Sequence, residues 1–310
     1  IPITYIAGNL VLNLNIFLLI AFTFSFFRGD IFQIRYNIID KLILIFFLYI
    51  LLNGLFNNLF NFNFPNAPDQ NIVFKKSVLF LRFFILYLVI RFLVCKEIIN
   101  FKLLFFVYGL CALLISLDLI VQFIFGKNLV GMEGEGRRLS GLFGDEYIAG
   151  GYIQKFFIFL PYAILLFSGI RNKFFLQLIL LIILAVTMFG ILVSGNRMPL
   201  FFAIFALLLI FLFEKKLRKL IGSAFIIFFL SFSFLLKTND ETYNHFHEFQ
   251  NKSSEFISYF QGKFSASGNI IVKNVYIKEF ESGISTWHQN KTFGGGLKSF
   301  YFHCSNIEKD

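Results

Sequence analysis

The chain has 310 residues, of which 57% are hydrophobic, only 15% are charged and 49 are Phe. Soluble domains contain about 25% charged residues, so this composition excludes an ordinary soluble protein and favours one that spans a membrane. The formal net charge is +10, but Lys and Arg stand at the ends of apolar runs, where the positive-inside rule explains them without nucleic acid.

Eight apolar runs follow one another along most of the chain. Because a helix rises about 1.5 Å per residue and the apolar layer is about 30 Å thick, such runs predict membrane-spanning helices. The seventh run is short and lies between Pro199, a favourable first-turn residue, and Glu214. The sequence predicts an all-α polytopic transmembrane bundle over residues 1–237, with spans at about 8–27, 40–58, 77–94, 102–125, 148–168, 174–193, 199–213 and 220–236.

The connections between these runs alternate in charge. Four of them, at 28–39, 95–101, 169–173 and 214–219, contain basic residues, and we interpret these as the positive side of the alternation. The connection at 126–147 holds three basic and four acidic residues, a net charge of −1. The positive-inside rule therefore predicts that 126–147, the turn at 194–198 and residues 238–310 lie outside the cytoplasm.

Residues 238–310 are polar, carry mixed charges and contain all four His of the chain. A loop of this length is usually functional, and the sequence predicts a long periplasmic loop at the C-terminal end. The chain begins at Ile1, almost inside an apolar run, and stops at Asp310 without a closing span. We therefore expect a fragment that lacks spans at both ends, so that the periplasmic loop is incomplete.

Three ionisable residues lie inside predicted spans, where a charge is costly and indicates function. Counted from the outer surface, Arg82, Asp118 and Lys155 all lie about 7–10 Å deep. One interpretation is a structural ion pair between Arg82 and Asp118, with Lys155 reaching out to the surface. The other is a cationic cavity built from Arg82, Arg138, Lys155 and Arg197, which would bind an anion such as a lipid diphosphate.

Other polar features have simpler interpretations. Arg91 lies at the cytoplasmic end of its span, where we expect its side chain to extend to the interface. His245 and His247 have no further ligands nearby, so we interpret them as surface-helix residues and predict no metal site. The segment 294–299, GGGLKS, lacks the glycine before its lysine and a preceding strand, so we do not interpret it as a phosphate loop.

Four short motifs occur in order within about residues 75–303. They resemble the extracytoplasmic motifs of the O-antigen ligase and O-antigen polymerase family in sequence, order and predicted topology. The motifs are Gln122-Phe-Ile-Phe-Gly126-Lys-Asn-Leu-Val-Gly131, Arg138-Leu-Ser-Gly-Leu-Phe-Gly-Asp-Glu146, Ser194-Gly-Asn-Arg197-Met-Pro199 and Thr286-Trp-His-Gln-Asn-Lys-Thr-Phe-Gly-Gly-Gly296-Leu-Lys-Ser-Phe300.

The resemblance implies a glycosyltransferase of the bacterial inner membrane that works on the periplasmic face. Its donor would be an oligosaccharide on undecaprenyl diphosphate, and its acceptor lipid A-core for a ligase or a second lipid-linked glycan for a polymerase. The family implies membrane lipids around the bundle and no cofactor, metal or nucleic acid. The sequence leaves open which of the two activities applies and which sugar is moved.

The resemblance also implies roles for individual residues. Arg138 and Arg197 match arginine positions of the family and would hold the diphosphate; Arg82 resembles an arginine in an earlier span of the family. The family carries a His-containing motif further on, and His303 is not its equivalent by position. We therefore expect the catalytic base to lie beyond residue 310, so this fragment on its own need not be active.

The chemistry of the residues agrees with that role. Transfer from a diphosphate needs fixed cations that neutralise the leaving group, and a base for the acceptor hydroxyl. Glu146 is a candidate base, although it could instead be an ionic partner of Arg138 or Arg197. Arg137, Asp145 and Asp118 are expected to support these groups.

A transporter or flippase for a polyprenyl-linked or anionic substrate is the alternative function. Such a protein would place its charges near the middle of the membrane and show inverted repeats or broken helices. This sequence instead concentrates its charges towards one face and shows no internal repeat.

Overall fold

A computed structural model describes residues 8–30, 36–59, 71–134, 138–144, 146–167, 169, 172–238, 240–260, 275–289, 291, 294–297 and 299–300. Regular structure in these ranges is helical, apart from one isolated bridge between Lys127 and Glu133. The α-helices are α1 (Asn9–Phe26), α2 (Ile38–Leu59), α3 (Ile72–Cys95), α4 (Phe101–Phe125), α5 (Ala149–Phe156), α6 (Phe159–Phe167), α7 (Lys173–Val193), α8 (Arg197–Phe213), α9 (Arg218–Thr238), α10 (Asp240–Phe260) and α11 (Val275–Gln289).

The helices of the described residues confirm the predicted all-α architecture, and several of them could cross a membrane. Six described segments are long and apolar enough to cross a membrane: Ile38–Leu59, Ile72–Cys95, Phe101–Phe125, Ala149–Phe167, Lys173–Val193 and Lys215–Thr238. Two further apolar helices, Leu10–Phe26 and Arg197–Phe213, are shorter. The particular membrane and the side on which each loop lies stay predictions.

Two predicted spans differ from the observed helices. The third begins at Ile72 rather than at residue 77, so Arg82 lies about 15 Å from the start of α3, counting 1.5 Å for each residue. The fifth is broken into α5 and α6. Pro161 has no N–H to donate to the carbonyl of Phe157, four residues earlier, which accounts for the break between these helices.

Packing divides the chain into two compact units. The first contains the described residues of Ile1–Phe17 and Ile99–His247, and the second those of Leu18–Ile98 and Glu248–Asp310. The sequence predicted a boundary at residue 237, between a helical bundle and a loop. The two compact units do not test that boundary, which stays a prediction.

In the first unit, α4 packs against α5, α6 and α7, and α9 packs against α7 and α8. The buried core between these helices includes Ile115 and Leu119 of α4, Ile153 of α5 and Ile191 of α7, all with no exposed surface. The start of α10 joins this core through Phe246, whose ring lies 4.7 Å from that of Phe232 in an edge-to-face arrangement. The loop at 126–147 therefore connects two helices, α4 and α5, that share one core.

In the second unit, α2 packs along α3. The Phe47 ring lies 5.4 Å from the rings of both Phe80 and Phe84, which join the two helices near their middle. Gly296 packs on the same pair of helices. A Cβ atom added to Gly296 would lie 2.5 Å from Val73 Cγ1, so this close contact needs a glycine.

A buried ion pair also joins α2 to α3. Asp40 is only 1% exposed and accepts hydrogen bonds from the Tyr87 hydroxyl and the Arg91 guanidinium. It also accepts one from the Asn37 N–H at 2.5 Å, at the start of its own helix. The Arg91 guanidinium pairs with this carboxylate, a partner that the sequence did not predict. Its extension to the interface stays a prediction.

We expect Asp40→Leu to destabilise the protein by about 3 kcal/mol, because it leaves the Arg91 charge without its partner. The double variant Asp40→Leu/Arg91→Met should recover most of that loss, since both charges are then replaced by apolar side chains. The measurement is unfolding by denaturant in detergent.

A matched control is available in the same unit. Lys96 and Asp30 form an ion pair at 3.0 Å whose side chains are 47% and 50% exposed. Asp30→Leu should change stability by no more than about 1 kcal/mol, because exposed ion pairs contribute little. Equal losses in the Asp40 single and double variants would contradict the assigned role of the pair.

Candidate functional site

The 126–147 loop begins with a short hairpin after α4. Gly126 ends the helix in the left-handed conformation, with φ of 75°, and its N–H donates to the Gln122 carbonyl at 2.9 Å. Its own carbonyl accepts from the Gly134 N–H at 3.1 Å. Lys127 pairs with Glu133 across the hairpin at 2.9 Å, and both side chains are exposed.

The Lys127 ammonium lowers the pKa of Glu133, first through their hydrogen bond and then through its charge. A lowered pKa in the folded protein means that the contact contributes above the usual pKa of a glutamate. That contribution is lost as the pH falls through the lowered value. Because the carboxylate is fully exposed, this contact contributes little to the stability of the hairpin. The main restraints on the loop come from buried groups.

Three buried polar side chains bind the backbone of this loop, and we call Asp118, Gln122 and Asn128 the loop clamp. Asp118 Oδ1 accepts the Leu129 N–H at 2.9 Å. Gln122 lies one turn further along the same face of α4, and its Oε1 accepts the Gly141 N–H at 2.9 Å. The clamp therefore fixes both the early and the late part of the loop to α4.

Asn128 ties the two parts of the loop together. Its Oδ1 accepts from the N–H groups of Val130 and Met132 at 3.1 and 2.7 Å. Its Nδ2 donates to the Gly141 carbonyl at 2.7 Å. Both backbone polar groups of Gly141 are thus bonded to clamp side chains, which holds that residue in place.

Arg138 lies three residues before this anchor. Its side chain is exposed, whereas Leu139, Ser140 and Gly141 are buried. The Leu139 N–H donates to the Ser194 carbonyl at 3.3 Å, and Ser194 is three residues before Arg197. The two arginines predicted to bind a diphosphate therefore lie on backbone segments that are hydrogen-bonded to each other.

The start of α5 also packs against the Arg197 turn. A Cβ atom added to Gly150 would lie 2.3 Å from Ser194 Oγ and 3.0 Å from Asn196 Nδ2, so the contact depends on this glycine. The Asn196 amide donates to the Tyr147 carbonyl at 3.1 Å. Arg197 itself is half-buried and is the first residue of α8.

Lys155 and Glu146 complete the predicted residues that are described in the first unit. Lys155 is exposed and lies one helical turn after Gly151, where an added Cβ atom would be 3.9 Å from Pro199 in the first turn of α8. Glu146 is exposed, and its N–H donates to the Phe143 carbonyl at 3.2 Å. Neither residue is in an ion pair with another described residue.

The remaining predicted residues are placed separately. Arg82 belongs to the second unit, where its exposed guanidinium lies 4.8 Å from the centre of the Phe83 ring. Arg137 and Asp145 lie outside the described residues. The four-cation cavity and the Arg82–Asp118 ion pair therefore stay predictions, while Arg138 and Arg197 are shown on adjoining segments.

Sequence reasoning missed Gln122 and Asn128 as anchors of the loop, although Gln122 and Asp118 follow the i, i+4 spacing of one helix face. Their partners are backbone groups, which have no signature in the sequence. Among the described residues there is no group of three or more His, Cys, Asp and Glu that could hold a metal ion. His247 is exposed on α10, with its ring stacked 5.9 Å from that of Tyr243.

Comparison of the chain with protein-family models, with curated proteins and with solved structures gave no match. The family resemblance is carried by the four sequence motifs. The chemical argument rests on the site itself. There, Arg138 lies on a loop that buried hydrogen bonds hold in place, and Arg197 lies on the adjoining segment, at one end of an apolar helical unit.

We expect Asn128→Ala to loosen the loop, because it removes three hydrogen bonds to backbone groups. With net contributions of about 1 kcal/mol each, tryptic cleavage after Arg138 should become at least roughly tenfold faster. Asn172→Ala is the control, since Asn172 also caps backbone N–H groups but lies at the start of α7. Equal cleavage rates in Asn128→Ala and the unmodified protein would contradict the anchoring role.

Two neighbouring glycines test the packing of α5 on the Arg197 turn. Gly150→Ala should lower the melting temperature, because its Cβ would clash with Ser194 and Asn196. Gly151→Ala should leave it unchanged or raise it, since the site has room and alanine favours the helix by roughly 0.5–1 kcal/mol. Thermal unfolding in detergent measures both, and a similar effect of the two substitutions would count against this packing.

Proposed function

We propose that the protein is a membrane glycosyltransferase that takes a glycan from undecaprenyl diphosphate in surface polysaccharide assembly, as an O-antigen ligase or polymerase does. The observation that carries the proposal is the hydrogen bond between Leu139 and Ser194, at 3.3 Å, which joins the segments bearing Arg138 and Arg197. In this proposal the membrane is the bacterial inner membrane and the arginines face the periplasm. The acceptor is lipid A-core or a second lipid-linked glycan.

The two arginines suit the chemistry of this transfer. The acceptor hydroxyl attacks the anomeric carbon, the bond from that carbon to the diphosphate oxygen breaks, and the diphosphate leaves with the electron pair. Guanidinium groups bind phosphate oxygens through two parallel hydrogen bonds and stabilise the charge that develops on the leaving group. Fixed side chains can thus supply the positive charge that the reaction needs.

The position of Arg197 adds to this effect. It is the first residue of α8, so its charge stands at the positive end of the helix dipole. A basic side chain there is unfavourable for the helix itself, but an anion bound at the same place would relieve the repulsion. Lys155, on the side of α5 that carries Gly151, is a further cation for the carrier diphosphate at the membrane surface.

The hydroxyl proton of the acceptor must also be removed. Glu146 is the first described carboxylate after Arg138 in the sequence, and it is exposed where an acceptor could approach. In our proposal it is a secondary candidate for the base.

Arg138→Ala and Arg197→Ala in the full-length protein should each lower transfer by at least about 100-fold, because each removes a charge from the leaving-group site. The measurement is the polysaccharide ladder on a gel, together with the amount of lipid-linked donor, which should accumulate. Lys216→Ala is the control, since it removes an exposed charge beyond the other end of α8. A normal ladder in both arginine variants would refute the proposal.

Deletion of the full-length gene should separate the two activities. A single repeat on lipid A-core would identify a polymerase, because ligation still proceeds. Core without repeats, with long chains on the lipid carrier, would identify a ligase. An unchanged ladder would contradict both and would favour the transporter.

A further inference from the structure

Asp118 is the most buried of the described ionisable residues at the predicted site. Its side chain has no exposed surface, and it lies seven residues before the end of α4, which is about 10 Å along the helix axis. A carboxylate in an apolar span is costly, so its presence calls for a specific partner or use. Its described hydrogen bond is with the loop rather than with another helix.

That bond fixes a part of the loop that side-chain packing does not hold. Leu129, whose N–H binds Asp118 Oδ1 at 2.9 Å, has a side chain that is 70% exposed. The next restraint is at Asn128, whose amide donates to the Gly141 carbonyl. Fixing the backbone at Leu129 therefore also restrains the backbone at Gly141, which lies three residues after Arg138.

Asp118 also lies close to the far part of the loop. A Cβ atom added to Gly141 would lie 3.0 Å from Asp118 Oδ2, and Gly141 has a φ of +57° that other residues rarely adopt. Oδ2 has no hydrogen-bond partner among the described residues. One carboxylate thus holds the loop at Leu129 through Oδ1 and leaves no room for a side chain at Gly141 beside Oδ2.

We propose that Asp118 is a positioning residue for Arg138, acting through the Leu129 N–H and the Gly141 backbone. This inference rests on the proposed function, because it explains the affinity with which Arg138 binds a lipid diphosphate. Hydrogen-bond acceptance, rather than negative charge, is the property that Asp118 supplies.

The experiment uses the full-length protein in lipid nanodiscs with undecaprenyl diphosphate as the probe. Asp118→Leu keeps the size of the side chain but cannot accept the Leu129 N–H, so affinity should fall about tenfold. Asp118→Asn retains an acceptor oxygen and should stay within about twofold of the unmodified protein. Ser116→Ala is the control, since Ser116 is equally buried on α4 but bonds only its own helix, at the Ala112 carbonyl.

A double-mutant cycle separates positioning from a general structural effect. In an Arg138→Lys background, Asp118→Leu should cause less than about a twofold further loss, because the residue that it positions has already been changed. A tenfold loss in both backgrounds would overturn the proposal. So would an Asp118→Asn variant as weak as Asp118→Leu, since charge would then be the property that matters.

Tryptic cleavage after Arg138 distinguishes failure of this inference from failure of the proposed function. If Asp118 positions the loop, Asp118→Leu should be cleaved faster whether or not the probe binds. Unchanged cleavage together with unchanged affinity would overturn the positioning role alone. If the unmodified protein does not bind the probe and Arg138→Ala changes nothing, the proposed function fails, and the role of Asp118 in diphosphate binding fails with it.

Discussion

Irregular backbone at the end of a membrane helix needs partners for its N–H and C=O groups, because the apolar layer offers none. In this protein the loop clamp supplies those partners. Gly141 is bonded on both sides, by Gln122 and Asn128, and Leu129 by Asp118. The arrangement of the site depends on these bonds, since they decide where the loop leaves α4 and where it returns to α5.

Once the loop is held, its neighbours are placed by packing. Buried Leu139 lies next to the Ser194 turn, and Gly150 brings the start of α5 against the same turn. The segments that carry Arg138 and Arg197 are distant in sequence. They are therefore joined by one hydrogen bond and lie in the same packed region of the first unit. No contact between the two charged side chains is needed for this placement.

The sequence predicted most of the helices, because long apolar runs and the charges at their ends determine where a chain can cross a membrane. It placed the start of α3 too late, since Lys75 and Lys76 suggest a membrane interface although they are already the fourth and fifth residues of the helix. It missed the pairing of Arg91 with Asp40, which are 51 residues apart and meet only when α2 packs on α3. The same limit applies to the loop clamp, whose partners are backbone groups.

The step from geometry to function depends on how firmly the cations are held. An exposed lysine, such as Lys215 or Lys216, attracts an anion, but its long side chain must be ordered when the anion binds, and this ordering opposes binding. An arginine on an anchored loop has lost part of that freedom before the anion arrives, so more of its attraction remains for the charge that develops during transfer. Buried polar groups are unfavourable in a helix that only spans a membrane. In α4 they are therefore explained by the need to hold a charged loop in a fixed position.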